Sequence, residues 1–191
     1  MAENIVNRCF WVNMKNPLYV KYHDSEWGVP EHSDRALFEL LILEGFQAGL
    51  SWECVLNKRE AFKKAFDDFD AEKISGYGEE KCEWLLSQPI IRNRLKINAC
   101  VTNSRVFLDI QKEFGSFDAY IWGFTGGQVI FESCDIRTTS PLSDEISKDL
   151  KKRGMKFTGS TIIYSYLQAI GIINGHAKDC DCYIGGEQNG R

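Results

Sequence analysis

The chain has 191 residues, 43% of them hydrophobic and 26% charged, with a formal net charge of −4. This is an ordinary globular composition, long enough for one domain with a sizeable core, and it excludes a disordered or fibrous chain. No apolar run approaches the ~18 residues of a membrane span, and the acidic balance argues against nucleic acid as a partner unless basic residues cluster locally.

The first thirty residues read as irregular and aromatic. Their opening, "MAENIVNRCFWVNMKN", has no apolar signal core, so a cytoplasmic location is expected. The seven cysteines are then expected as thiols, and their odd number suits metal ligation plus buried bystanders better than a disulfide frame. From Asp34, "DRALFELLILEGF" places Leu37, Phe38, Leu40, Leu41 and Phe46 on an apolar stripe behind Asp34 as N-cap. Ser51 can cap a second helix, "WECVLNKREAFKKAF", and Asp70 a short one before Gly76. "EEKCEWLLSQ" is a fourth, stopped by Pro89, and a long fifth runs from about Arg92 to Phe114. "SFDAYIWGF" is a short sixth, and "GGQVIFES" the only plausible strand. "LSDEISKDLKKRG" follows, with Ser143 as cap and Gly154 at its end, and the last helix, "GSTIIYSYLQAIGIING", ends at Asn174–Gly175. The expectation is a single all-α domain spanning residues 1–191.

The tail "NGHAKDCDCY" packs His176, Cys180 and Cys182 into seven positions. Zinc takes four nitrogen or sulfur ligands, and His-x3-Cys puts two within reach of one ion. Cys9 and His23 at the other end of the chain could complete the set. Alone, each reads equally as a small buried cysteine or a satisfied surface histidine, so the pattern leaves both readings open. Four protein ligands would make the zinc structural, joining residues 1–30 to residues 174–191.

"RCFWV", "PLYVKYHDSEWGVP", "LFELLILEGFQAGLSWECVLNKRE", "IIRNRLKI" and "LKKRGMKFTGSTIIYSYLQAIGIINGH" together resemble the DNA-3-methyladenine glycosylase I family, from about Arg8 to Tyr183. The resemblance implies a helix-hairpin-helix DNA glycosylase fold. It also implies one structural zinc on Cys9, His23, His176 and Cys180, with Cys182 a bystander. The implied activity is hydrolytic excision of 3-methyladenine from alkylated double-stranded DNA. The base is flipped into a pocket, and free 3-methyladenine is the product. Trp11, Tyr19, Tyr22 and Trp52 would line that pocket. Electron-rich rings suit a cationic base, although core packing is the ordinary role of each ring. Glu44 would accept a hydrogen bond from the exocyclic amine, with Gln47 beside it. A carboxylate on an apolar stripe is otherwise costly, unless it is an exposed Glu at a frayed helix end.

For DNA, "LKKRGMKFTGST" offers Lys151, Lys152, Arg153 and Lys156 around a turn with Gly154 and Gly159. The N–H groups of Gly159, Ser160 and Thr161 open the last helix and could bind a phosphate. "RNRLK" (Arg92, Arg94, Lys96) is a second candidate contact. By resemblance, Gly49 and Leu50 form the tip that fills the gap left by the flipped base. Two departures stand out: Gly175 where many members have Asp, and Pro89 where they have Gly. Other branches of the superfamily use an Asp in about the Gly175 region as catalytic carboxylate, so a mechanism borrowed from them is not expected. No lysine lies in "EGFQAGLSW" to form a covalent imine, so hydrolysis without strand cleavage is expected, by a monomer. The rivals are a non-catalytic damaged-DNA binding module and a zinc hydrolase.

Overall fold

The structure, a computed structural model, describes residues 6–132 and 137–184. The outer ends of the expected terminal clamp, residues 1–5 and 185–191, lie outside the described residues, as does the last residue of the expected strand segment. The described elements are helical apart from one two-stranded parallel sheet, and none of their helices is long and apolar enough to cross a membrane.

Helix α2 (Asp34–Gln47) is the centre of the fold. It buries residues on every side, from Leu37 through Leu43 to Phe46, so it is an enclosed helix and not the one-striped surface helix that the sequence pattern suggested. Helices α7 (Arg94–Phe114), α8 (Phe117–Gly123) and α10 (Ser160–Ala169) pack against it, as does the short α3 (Trp52–Leu56). Burying each large apolar side chain here contributes roughly 1.5–3 kcal/mol. Phe38, Phe46 and Leu41 are all at most 2% exposed.

Several caps differ from expectation. Ser33, not Asp34, occupies the N-cap of α2. Asp34 instead accepts from the N–H groups of Phe117 (2.9 Å) and Asp118 (2.8 Å), so its carboxylate satisfies the first turn of α8. Ser51 does cap α3, but that helix stops at Leu56 and the chain restarts as α4 (Arg59–Ala65). Asp70 caps α5 (Ala71–Ser75) as expected, and α6 spans Glu79–Ser87. Ser143 is not the N-cap of α9 (Pro141–Arg153): Ser140 is, and the two serines form a reciprocal capping box. The first thirty residues are not irregular throughout. Helix α1 (Pro17–Ser25) starts behind Asn16, whose side chain accepts from the Leu18 N–H at 3.1 Å, with proline at the first helical position.

Helix α10 ends at Ala169, five residues before the expected end at Asn174. Gly171 has φ +74°, and a Cβ there would lie 2.3 Å from the Val29 backbone, so no other residue fits this turn. The chain then forms β2 (Ile173–Asn174), which pairs in parallel with β1 (Ile130–Phe131), Ile130 opposite Ile173. Helices α9 and α10 form a hairpin, turned at Gly154 (φ +106°), where the Met155 N–H returns to the Leu150 carbonyl at 2.9 Å. The chain ends meet: the Asn7 N–H donates to Asp181 (2.9 Å), the Asp181 N–H donates to the Asn7 carbonyl (2.9 Å), and the Asn7 side chain donates to the Asp179 carbonyl (2.7 Å).

Candidate functional site

Helix α1 presents Tyr19 and Tyr22, three residues apart, on one face. That face meets the start of α3 at Trp52 and the last turn of α2 at Glu44 and Gln47. The rings of Tyr22 and Trp52 lie 5.2 Å apart, and Trp11 stands 5.6 Å from Tyr19 and 4.8 Å from Trp27. These side chains enclose a pocket of about 210 Å³ that holds Trp11, Tyr19, Tyr22, Glu44, Gln47 and Trp52 together. Sequence reasoning missed Trp27, Ser165 and Gln168, which also line it. Trp27 lies in the "PLYVKYHDSEWGVP" segment; Ser165 and Gln168 are polar positions in the apolar middle and last turn of α10. Gly175 lines the pocket too, and a Cβ there would come within 2.8 Å of Gln168 Nε2, so the glycine gives Gln168 room.

Two carboxylates are buried on α2, and their surroundings differ. Glu39 accepts from Arg59 Nε at 2.5 Å and lies 3.6 Å from Lys63 Nζ. Glu44 is 3% exposed and its Oε2 has no hydrogen-bond partner. Burial alone pushes the Glu44 carboxyl up from 4.5 to about 8, so in the free protein it holds its proton at neutral pH. Trp52 Nε1, in the same pocket, is likewise buried without a partner. Buried polar groups in folded proteins are almost always paired. Two unpaired ones facing one aromatic cavity mark a place for a ligand with polar edges and a π-face.

The Glu44 turn is held from below. Lys96 is 7% exposed, and its Nζ donates to the carbonyls of Phe46 (2.8 Å) and Ala48 (2.6 Å), the unsatisfied end of α2. Lys96 is therefore not a surface contact for DNA. Arg94 is occupied by Glu83. The turn carries Gly49 and Leu50 outward, and Leu50 is 43% exposed at its tip.

Cys9, His23, His176 and Cys180 converge at the joined chain ends, all buried, with one ligand atom from each lying within 4.8 Å of every other. Cys180 Sγ is 3.5 Å from His23 Nε2 and 3.6 Å from His176 Nδ1, and Cys9 Sγ is 3.6 Å from His176 Nδ1. A tetrahedron with bonds of about 2.3 Å to sulfur and 2.05 Å to nitrogen has S···N edges of about 3.6 Å. The donor set fits such an ion. The outer ring nitrogens are fixed as well: His176 Nε2 donates to the Trp27 carbonyl (3.0 Å) and His23 Nδ1 to Asp24 (2.8 Å). Asp24 is held in turn by Arg8. Trp27 packs on His176 at 4.7 Å and Trp11 on His23 at 5.2 Å, so this cluster and the pocket share a wall.

At the α9–α10 hairpin, Lys151, Lys152, Lys156 and Thr161 are exposed, and Gly159 and Ser160 partly so. Arg153 is committed elsewhere: it pairs with Asp149 (2.7 Å) and Glu113 (2.6 Å) and lies over the Phe114 and Tyr120 rings. Its first role is to tie α9 to α7 and α8.

The methyladenine glycosylase family model matches residues 11–183. The chain is 44% identical to DNA-3-methyladenine glycosylase 1 of Escherichia coli (strain K12) over 94% of its length and 98% of the relative's. It is 39% identical to DNA-3-methyladenine glycosylase of Haemophilus influenzae over 93% and 98%. A crystal structure of 3-methyladenine DNA glycosylase I superposes with a TM-score of 0.89 at 46% identity, covering 93% of this chain and all of that one. A structure of the Staphylococcus aureus enzyme, described for its recognition of 3-methyladenine, superposes with 0.86 at 37% identity over 88% and 93%. With its helical architecture, hairpin and aromatic pocket in place, the chain belongs to the methyladenine glycosylase family.

Proposed function

We propose that this protein excises 3-methyladenine from alkylated duplex DNA, flipping the base into the Glu44 pocket and hydrolysing its bond to deoxyribose. The observation that carries this reading is the unpaired, buried carboxyl of Glu44 at the floor of an aromatic cage. Methylation at N3 gives the base a positive charge and weakens its bond to the sugar. When the bond breaks, the base keeps the electron pair and leaves neutral, and water adds to C1′ with loss of a proton. Little acid catalysis is needed, so selectivity falls on binding. The rings of Trp11, Tyr19, Tyr22 and Trp52 stabilise a cation at roughly 0.5–2 kcal/mol each. Glu44 gives up its proton when the cationic base enters and accepts a hydrogen bond from the exocyclic amine. Neutral adenine offers no charge to offset ionising a buried carboxyl, so it is rejected.

Leu50 is the wedge that replaces the flipped base, and the exposed hairpin lysines with the first N–H groups of α10 hold the backbone. We further propose zinc at Cys9, His23, His176 and Cys180; with four protein donors it is structural and holds the Trp11 and Trp27 wall in place. Incubation with alkylated duplex should release free base and leave strands intact until alkali is added. Strand cleavage without alkali would contradict hydrolysis alone, and absence of free base would contradict the glycosylase reading.

A further inference from the structure

Phe157, in the turn between α9 and α10, has φ +55°. A bulky side chain rarely adopts this left-handed backbone, and keeps it only where the surroundings over-determine it. Here both flanks are fixed. The buried Asn103 of α7 donates from Nδ2 to the Lys156 carbonyl at 2.9 Å and accepts from the Lys156 N–H at 2.7 Å. The Ser147 hydroxyl of α9 donates to the Thr158 carbonyl at 2.7 Å. These bonds hold the backbone without the ring, and glycine would take the same φ unstrained. The phenylalanine must therefore be explained by what it touches. It lines a crevice with Gly45, Phe46 and Lys96. A Cβ on Gly45 would sit 3.6 Å from the Phe157 Cβ, so the turn packs on α2 at the residue after Glu44. Lys96 Nζ, which holds the Phe46 and Ala48 carbonyls, lies 5.9 Å from the Phe157 ring centroid. Two residues beyond Phe157, Gly159 caps α10, whose first N–H groups face outward for a phosphate. Phe157 thus joins the turn that grips DNA to the turn that carries Glu44, Gln47 and the Leu50 wedge.

We infer that Phe157 is a positioning residue whose side chain fixes the spacing between the DNA anchor at the start of α10 and the base pocket on α2, so that a held strand delivers its flipped base onto Glu44. This rests on the reading that the pocket takes a flipped base and the hairpin holds the backbone. Free base and undamaged duplex can each bind without that spacing. Only excision needs both placed together, and a misplacement on the order of 1 Å costs about 100-fold in rate.

The test compares parent, Phe157→Gly and Phe157→Leu in four measurements: melting temperature, affinity for free 3-methyladenine, affinity for undamaged duplex, and the single-turnover excision rate at saturating enzyme. Phe157→Gly should melt close to the parent, because the strain it removes offsets the packing it loses. Both affinities should stay within about twofold of the parent. The saturated excision rate of Phe157→Gly should fall about 10- to 100-fold, and Phe157→Leu, which keeps apolar bulk against Gly45, should recover most of that loss. A parent that neither binds nor releases the base refutes the glycosylase reading itself. With an active parent, an unchanged rate in Phe157→Gly refutes the positioning role. So does a fall in melting temperature or in either affinity that accounts for the lost rate, since the ring would then hold the fold, the pocket or the grip alone. A leucine variant no faster than the glycine one refutes the packing link to α2.

Discussion

Replacing Glu44 by glutamine should separate stability from function. The native carboxyl holds its proton up to about pH 8, whereas the same group in the unfolded chain releases it near 4.5. Between those values the native state binds more protons than the unfolded state, so stability falls as pH rises through this window, and the deficit is complete above about pH 8. The interval at about 1.4 kcal/mol per pH unit amounts to roughly 5 kcal/mol, an upper bound once the pocket relaxes. The glutamine amide cannot ionise and escapes the deficit. The Glu44→Gln variant should therefore lie within about 1 kcal/mol of the parent at pH 5 and exceed it by several kcal/mol at pH 9, a gain on the order of 10–20 °C in Tm for a chain of this size. Excision should fall about 10- to 100-fold, the loss of a charged hydrogen bond to the base. Parent kcat/KM should climb with pH up to about 8, and that of the variant should not. Thermal unfolding at half-unit pH steps, with single-turnover excision on the same samples, reads both effects. Parallel stability profiles for parent and variant would mean that Glu44 is ionised and paired in the native protein, and would refute this reasoning.

His176→Ala should abolish stoichiometric zinc and cost more than about 4 kcal/mol, roughly 8–16 °C in Tm. It should also weaken base binding through the shared Trp27 wall; elemental analysis with calorimetry checks both. Lys152→Glu should weaken binding to all duplex sequences alike and flatten the salt dependence by about one phosphate, read by fluorescence anisotropy. Arg153→Ala should instead act mainly on melting temperature, because its partners are Asp149 and Glu113. Lys96→Met should loosen the end of α2 and reduce excision with little change in DNA affinity, since its ammonium is spent on the Phe46 and Ala48 carbonyls.

Local sequence carried most of the helices, because caps and periodicity are short-range signals. It failed where a distant segment decides. The end of α10 is invisible to periodicity, since the apolar residues continue through Ile172 and Ile173 into β2, and only the Val29 backbone explains the stop at Gly171. Asp34 looked like the cap of its own helix because its true donors, on Phe117 and Asp118, lie more than eighty residues away. Lys96 looked like surface charge, and Arg153 like a phosphate contact, for the same reason. Helix α1 was missed although Asn16–Pro17 is a start signal, because its aromatic and charged residues form no clear stripe. Glu44 was legible as an oddity, but its distinction from Glu39 depends on Arg59 and Lys63, which fold back from α4. The tail pattern with Cys9 and His23 was legible as one of two open readings; the resemblance selected it and supplied the pocket roles of the aromatics. Their arrangement around one cavity and one donor cluster is a tertiary fact.

The central claim is that the cavity between Glu44 and Trp52 receives the alkylated base. Structure determination of the protein soaked with free 3-methyladenine tests it most directly. The base should lie against the Trp52 ring with its exocyclic amine within hydrogen-bond reach of Glu44, and Glu44→Gln should bind it more weakly. A base bound elsewhere, or a pocket that takes up no base at saturating concentration, would contradict the account.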